Sequence, residues 1–93
     1  MNTLSDAEIT PRLPDGWAYI SENNSIEKEF VTNNFLDAVE FIRKIAVEAE
    51  AMDHHPNIFL HSYKKVMVTL TTHSAGGVTE NDLTLASKIN SLH

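Results

Sequence analysis

The sequence predicts an α+β fold, an antiparallel sheet with helices packed on one of its faces. Three patterns carry that reading. Short runs of alternating apolar residues occur near Trp17 and again near Val66, a long amphipathic segment separates them, and a second amphipathic segment ends the chain. At 93 residues, 1–93 reads as one domain, with no repeat, low-complexity stretch or linker.

The elements follow in order. Residues 1–16 are polar and carry Pro11, Pro14 and Gly16, which leaves room for at most a short helical turn around Asp6 to Thr10. Trp17 to Ser21 and Ile26 to Val31 read as two strands, with Trp17 and Tyr19 alternating on one and Ile26 and Phe30 on the other. Glu22-Asn23-Asn24-Ser25 between them is turn chemistry, since Asn tolerates positive φ. From Asn34 to Ala51, Phe35, Ala38, Val39, Ile42, Ile45, Ala46 and Ala49 recur at spacings of three and four, continuing to Met52, which predicts the apolar stripe of a helix. Asn34 is its expected N-cap, Asp37 complements its positive end, and Pro56 stops it by pushing His55 out of the α region.

Tyr63 to Thr72 reads as a further strand region, with Val66, Val68 and Leu70 on one face and Lys65, Met67, Thr69 and Thr71 on the other. Gly76-Gly77 is a break. Thr79 to Leu92 is the last helix, opened by a capping-box-like pair, Thr79 and Asp82, and striped by Leu83, Ala86, Ile89 and Leu92.

Composition narrows the function classes. Thirteen acidic against seven basic residues give a formal charge of −6. That argues against direct nucleic-acid binding, which needs clustered Lys and Arg to displace counterions. With no cysteine, disulfides, thiolate metal sites and cysteine nucleophiles are excluded. The N-terminus shows no signal peptide and no stretch approaches the ~18 apolar residues of a membrane span, so cytoplasm is the default location. A chain this short buries only roughly 60–65% of its unfolded surface, and oligomerisation would help it.

Asp53-His54-His55-Pro56 is the unusual stretch: two adjacent histidines and a carboxylate at a helix end. With a regular last turn, Glu50, Asp53 and His54 share one face, and the carboxylates and the negative helix end favour imidazolium. Such groups donate and accept protons near neutral pH. On spacing alone, a solvated helix end with two surface histidines explains the stretch at least as well. His73 closes a strand just ahead of the glycine pair, an exposed but firmly based position, and also reads equally as a loop residue. Gly76-Gly77 is not a phosphate-binding loop, because no Lys-Ser/Thr follows it. Asp82 reads locally as the third residue of a capped helix, and His61 and His93 read as surface residues. No metal site is expected: adjacent histidines chelate poorly, and neither HExxH spacing nor a cysteine ligand is present.

Taken together, these residues resemble the pterin-4a-carbinolamine dehydratase family from about Leu13-Pro14-Asp15-Gly16-Trp17 to the C-terminus. The specific part of the match is Glu50, Asp53-His54-His55-Pro56, Tyr63, Val66, Thr72-His73, Gly77, Thr79, Asp82 and Ala86, in order and spacing. The resemblance implies a four-stranded antiparallel sheet with helices on one side, homodimers or homotetramers, and dehydration of a 4a-hydroxytetrahydropterin to the quinonoid dihydropterin without a cofactor. By position, His54, His55 and His73 match the family's catalytic histidines, and Glu50, Asp53 and Asp82 its acidic site residues. Asp82 would then act on a nearby imidazole, with His73 the expected partner because it lies only a glycine loop away. Pro56 and Phe59 are the expected pterin contacts. Ile58 and Phe59 stand where the animal enzymes often carry a tryptophan, the segment from Pro56 to Tyr63 is one residue longer, and the N-terminal helix looks shortened by Pro11 and Pro14. In animals the family also stabilises dimers of a homeodomain transcription factor, so the alternative reading is a non-enzymatic binding module.

Overall fold

The computed structural model describes residues 2–93. The N-terminal segment holds α1 (Asp6–Ile9) and a 3-10 turn (Thr10–Arg12). Then follow β1 (Ala18–Ile20), β2 (Ser25–Val31), α2 (Phe35–Met52), β3 (Asn57–His61), β4 (Lys65–Leu70) and α3 (Glu80–Leu92). The four strands form one antiparallel sheet in the order β1-β2-β4-β3. This is the predicted α+β architecture.

Strand register decides what lies on each face. Val66, Val68 and Leu70 pair with Phe30, Lys28 and Ile26 on one side of β4, and Val66 and Val68 pair with Leu60 and Ile58 on the other. Paired residues point to the same side of the sheet, so these form the face that α2 and α3 cover. Ile26, Phe30, Val66, Val68 and Leu70 are buried there against Ala38, Phe41, Ile45 and Ala49 of α2 and Leu85, Ala86 and Ile89 of α3. The other face carries Glu29, Val31, Phe59 and Lys65, and no helix among the described residues covers it.

Two expectations are corrected. The buried stripe of α2 is rotated from the predicted one: Phe41 is in the core, while Phe35 and Val39 are 54% and 46% exposed. Phe41 wins because it meets the Phe30 ring at 5.0 Å, whereas Phe35 and Val39 lie on the exposed side of the helix. The second correction is β3, which the sequence reading left unassigned. It forms a hairpin with β4 through Ser62 and Tyr63, both in the left-handed region (φ 49° and 53°). The loop between the paired His61 and Lys65 is three residues, Ser62 to Lys64. Positive φ in hairpin loops is normally taken by Asn or Gly, and here neither Ser62 nor Tyr63 is one.

The N-terminal segment braces the start of α3. Leu4 N–H donates to Val78 O at 2.8 Å, Ile9 is buried, and Arg12 makes a bidentate pair with Glu80. Trp17 Nε1 and Lys28 Nζ both donate to Asn90 Oδ1, which ties β1 and β2 to the far end of α3. Among the described residues, no helix is long and apolar enough to cross a membrane.

Left-handed φ costs an ordinary residue roughly 1–2 kcal/mol, partly offset by the extra chain entropy glycine loses on folding. Tyr63 is 60% exposed and gives up little packing. Tyr63→Gly should therefore raise unfolding stability by about 0.5–1 kcal/mol in urea melts. A loss of stability would show that the turn strain is not there.

Candidate active site

The site begins at the end of α2. Asp53 adopts a left-handed conformation (φ 49°, ψ 45°), so the last turn is not the regular one expected from sequence. Asp53 N–H donates to Glu50 O at 3.2 Å and His54 N–H to Ala49 O at 3.0 Å. These are the two bonds of a Schellman motif, which satisfies the last carbonyls of the helix and reverses the chain. Asp is one of the few side chains that tolerates this φ. The reversal turns His54 inward, toward α3, and leaves His55 outside.

His54 is 9% exposed and its Nε2 lies 2.5 Å from Asp82 Oδ1. Asp82 is wholly buried. Its second oxygen, Oδ2, accepts from the Thr72 hydroxyl at 2.8 Å and from the Thr79 backbone N–H at 2.9 Å. Asp82 thus caps α3 through Oδ2 and meets an imidazole through Oδ1. The partner differs from expectation: Asp82 holds His54, not His73. Sequence proximity was misleading because packing of α2 against α3 brings the two helix ends together.

An ionised carboxylate only accepts hydrogen bonds. Both contacts on Oδ2 are donors, and toward such a carboxylate an imidazole at Oδ1 offers an N–H on Nε2. A neutral imidazole so held presents its lone pair at Nδ1. That nitrogen has no partner among the described residues, yet Ser25 Oγ is the one buried side-chain N or O atom left unpartnered there. His54 Nδ1 therefore opens to solvent.

His55 lies outside and its Nε2 pairs with Glu50 Oε2. The hydrogen bond from Glu50 raises the His55 pKa, burial opposes this slightly, and the charges of Glu50 and Asp53 add to the rise. The expectation that this helix end favours imidazolium applies to His55. His73 is exposed at the start of the loop from β4 to α3, with no partner for its ring among the described residues. Its neighbour Thr72 bridges to Gly77, with Thr72 N–H donating to Gly77 O at 2.9 Å, and Ala75 and Gly76 N–H donate to Thr72 O. His73 thus stands one residue from the Asp82 carboxylate on an anchored loop.

Pro56 joins His55 to β3. Asp53 is exposed, and no side-chain hydrogen bond is formed by it among the described residues. Phe59 is placed apart from the histidines of the site. It lies on the open face of the sheet, where its ring stacks on His61 at 5.0 Å and 12°, and His61 in turn meets Glu29 at 2.5 Å. Sequence reasoning gave Thr79 its part in the helix cap but gave Thr72 no role at the Asp82 carboxylate. The signal was present: Val66, Val68 and Leu70 alternate inward, so Thr72 continues that register and brings a hydroxyl to the edge of the core.

A cavity of about 520 Å³ lies elsewhere, between the end of β2, Asp37, Phe41 and Lys44 of α2, and His93. It contains none of the residues above. At 1.5 Å rise per residue, Asp37 and Asp53 are about 24 Å apart along α2. Among the described residues, no three of His, Asp and Glu converge as a metal-ligand group.

The raised His55 pKa has a sign that can be checked. Because the folded value lies above the ordinary 6.5, the His55–Glu50 pair supports the fold below that pH and loses its contribution as pH rises through the folded value. In NMR titrations, the His55 ring should titrate above 6.5, and Glu50→Gln should bring the midpoint down. An unmoved midpoint would remove Glu50 as the cause.

The comparisons with known proteins agree with this fold. The model of the family described as pterin 4 alpha carbinolamine dehydratase matches residues 2–92. A protein of Sulfolobus acidocaldarius is 48% identical over 91 residues, covering 96% of this chain and 97% of that one. A Picosynechococcus protein is 43% identical over 89 residues, covering 96% of each. Both are provisionally named pterin-4-alpha-carbinolamine dehydratase. Among solved structures, one from Brucella melitensis described as a transcriptional coactivator/pterin dehydratase superposes with a TM-score of 0.90 at 38% identity, covering 98% of both chains. A pterin dehydratase-like protein identified as a RuBisCO assembly factor in the alpha-carboxysome shares the fold, with a TM-score of 0.69 at 20% identity over 83% of this chain and 88% of that one. With the family match spanning nearly every residue and relatives this similar over their full length, the chain belongs to the pterin 4 alpha carbinolamine dehydratase family.

Proposed function

We propose that this chain is a lyase that dehydrates a pterin 4a-carbinolamine to the quinonoid dihydropterin and water, using histidines as acid and base. The observation that carries the reading is the buried His54–Asp82 pair, whose free Nδ1 opens to solvent. A histidine oriented by a buried carboxylate through one nitrogen and open at the other is suited to proton transfer.

The reaction needs two proton movements. The C4a–O bond breaks as the hydroxyl gains a proton and leaves as water. N5–H loses its proton as the C4a=N5 double bond forms. His55, whose pKa the hydrogen bond to Glu50 raises, is the acid toward the hydroxyl. His54 Nδ1 is the base toward N5–H, and Asp82 stabilises the imidazolium that forms. The substrate gains one proton and loses one, so the pair resets by exchange with solvent. His73, on its anchored loop, is the third histidine bounding the ring. The family's specific positions are all filled, and no cofactor enters this scheme. The coactivator description of the Brucella relative supports a second reading as a binding module, which turnover separates from the first.

The test is turnover of a synthetic 4a-hydroxytetrahydropterin, followed spectrophotometrically against its spontaneous loss of water. The wild-type chain should accelerate the reaction. His55→Ala and His73→Ala should each lower the rate at least about tenfold, a conservative floor against the ~10²–10⁴-fold usual for acid–base groups, while melting behaviour stays near wild type. Dialysis against a strong chelator should leave the rate unchanged. No acceleration over the spontaneous reaction would refute the enzymatic reading.

A further inference from the structure

We infer that Thr72 is a positioning residue, whose hydroxyl fixes the rotation of the Asp82 carboxylate and thereby the ring nitrogen that His54 presents. The inference deepens the dehydratase reading and rests on it for its kinetic arm.

The Asp side-chain torsion next to the carboxylate is broad, so the side chain alone does not fix the plane in which its two oxygens lie. Here that plane is fixed by donors on different chain segments. The Thr79 N–H is fixed by the start of α3 and reaches Oδ2 at 2.9 Å. The Thr72 hydroxyl comes from the end of the β4 segment and reaches the same oxygen at 2.8 Å. With two donors on Oδ2, Oδ1 is left for His54.

The proton count also sets a direction. Thr72 has one hydroxyl proton. If that proton went to Thr79, Thr72 would press lone pairs against the Asp82 lone pairs at 2.8 Å. It therefore goes to Asp82, and the 2.9 Å contact between the two threonine hydroxyls is a donation from Thr79 to Thr72. The chain runs Thr79 O–H to Thr72 O–H to Asp82, with each bond polarising the next. All three residues are buried, at 0%, 8% and 0% exposure, so no competing water approaches freely. The backbone of Thr72 has a separate task, since its N–H and C=O hold the loop that carries His73. Removing the hydroxyl alone leaves that loop paired.

Thr72→Val is the isosteric change that removes the donor. We expect kcat to fall at least about fivefold, at the low end for an indirect contribution to acid–base catalysis, with KM within about twofold of wild type. Thr72→Ser should restore the rate. A substrate-free readout decides positioning by itself. Ring ¹⁵N shifts of His54 should show one tautomer, protonated at Nε2, in the wild type and in Thr72→Ser, and a mixture in Thr72→Val. If the valine variant does not fold, Thr72→Ala is read in the same way. A valine or alanine variant that keeps both wild-type kcat and the single Nε2–H tautomer would overturn the inference. Should the wild type fail to turn over the carbinolamine, the dehydratase reading falls, and the tautomer populations still decide what Thr72 does.

Discussion

A carboxylate with no exposure must have its lone pairs met, because an unpaired buried charge costs several kcal/mol. Asp82 is that carboxylate, and meeting its needs organises the whole site. Its donors come from three separate segments: His54 from the end of α2, Thr72 from the end of β4, and Thr79 from the start of α3. Each segment must be in place for the others to be satisfied. The arrangement therefore couples the folding of the last helix to the direction of a histidine 28 residues earlier.

The end of α2 divides its two histidines between different environments. The left-handed Asp53 sends His54 inward to a buried carboxylate and leaves His55 outside with Glu50. Adjacent residues in sequence thus acquire different surroundings: one has its Nε2 committed to a buried carboxylate, the other has its pKa raised by Glu50 at the surface. Acid–base catalysis of a dehydration needs such a difference between its two groups. The sheet supplies the rigid base, because Val66, Val68 and Leu70 anchor β4 in the core just before Thr72 and His73.

Much of the fold was legible because its signals are local. α2 starts at Asn34, whose side chain accepts from Asp37 N–H as expected, and Asn24 takes the positive φ of the first hairpin turn. β3 was not legible, since Ser62 and Tyr63 adopt hairpin geometry without the residues that usually announce it. Phe41 was missed for a different reason: its burial depends on Phe30, a contact made across the fold. The site followed the same division. The Asp53-His54-His55-Pro56 stretch stood out in one dimension. Which histidine Asp82 holds is set by helix packing that no local spacing encodes, whereas its contact with the Thr79 N–H is the cap that the local spacing announced.

The geometry makes one demand that ligand binding can meet or fail. In a crystal structure of the chain with an unreactive dihydropterin bound, the ring should lie at the opening bounded by His54, His55 and His73. His54 Nδ1 should then be within about 3.2 Å of a ring nitrogen or oxygen, with Nε2 still on Asp82. A ring seated instead in the cavity between Asp37, Lys44 and His93, with the three histidines untouched, would contradict the assignment of His54 as the base.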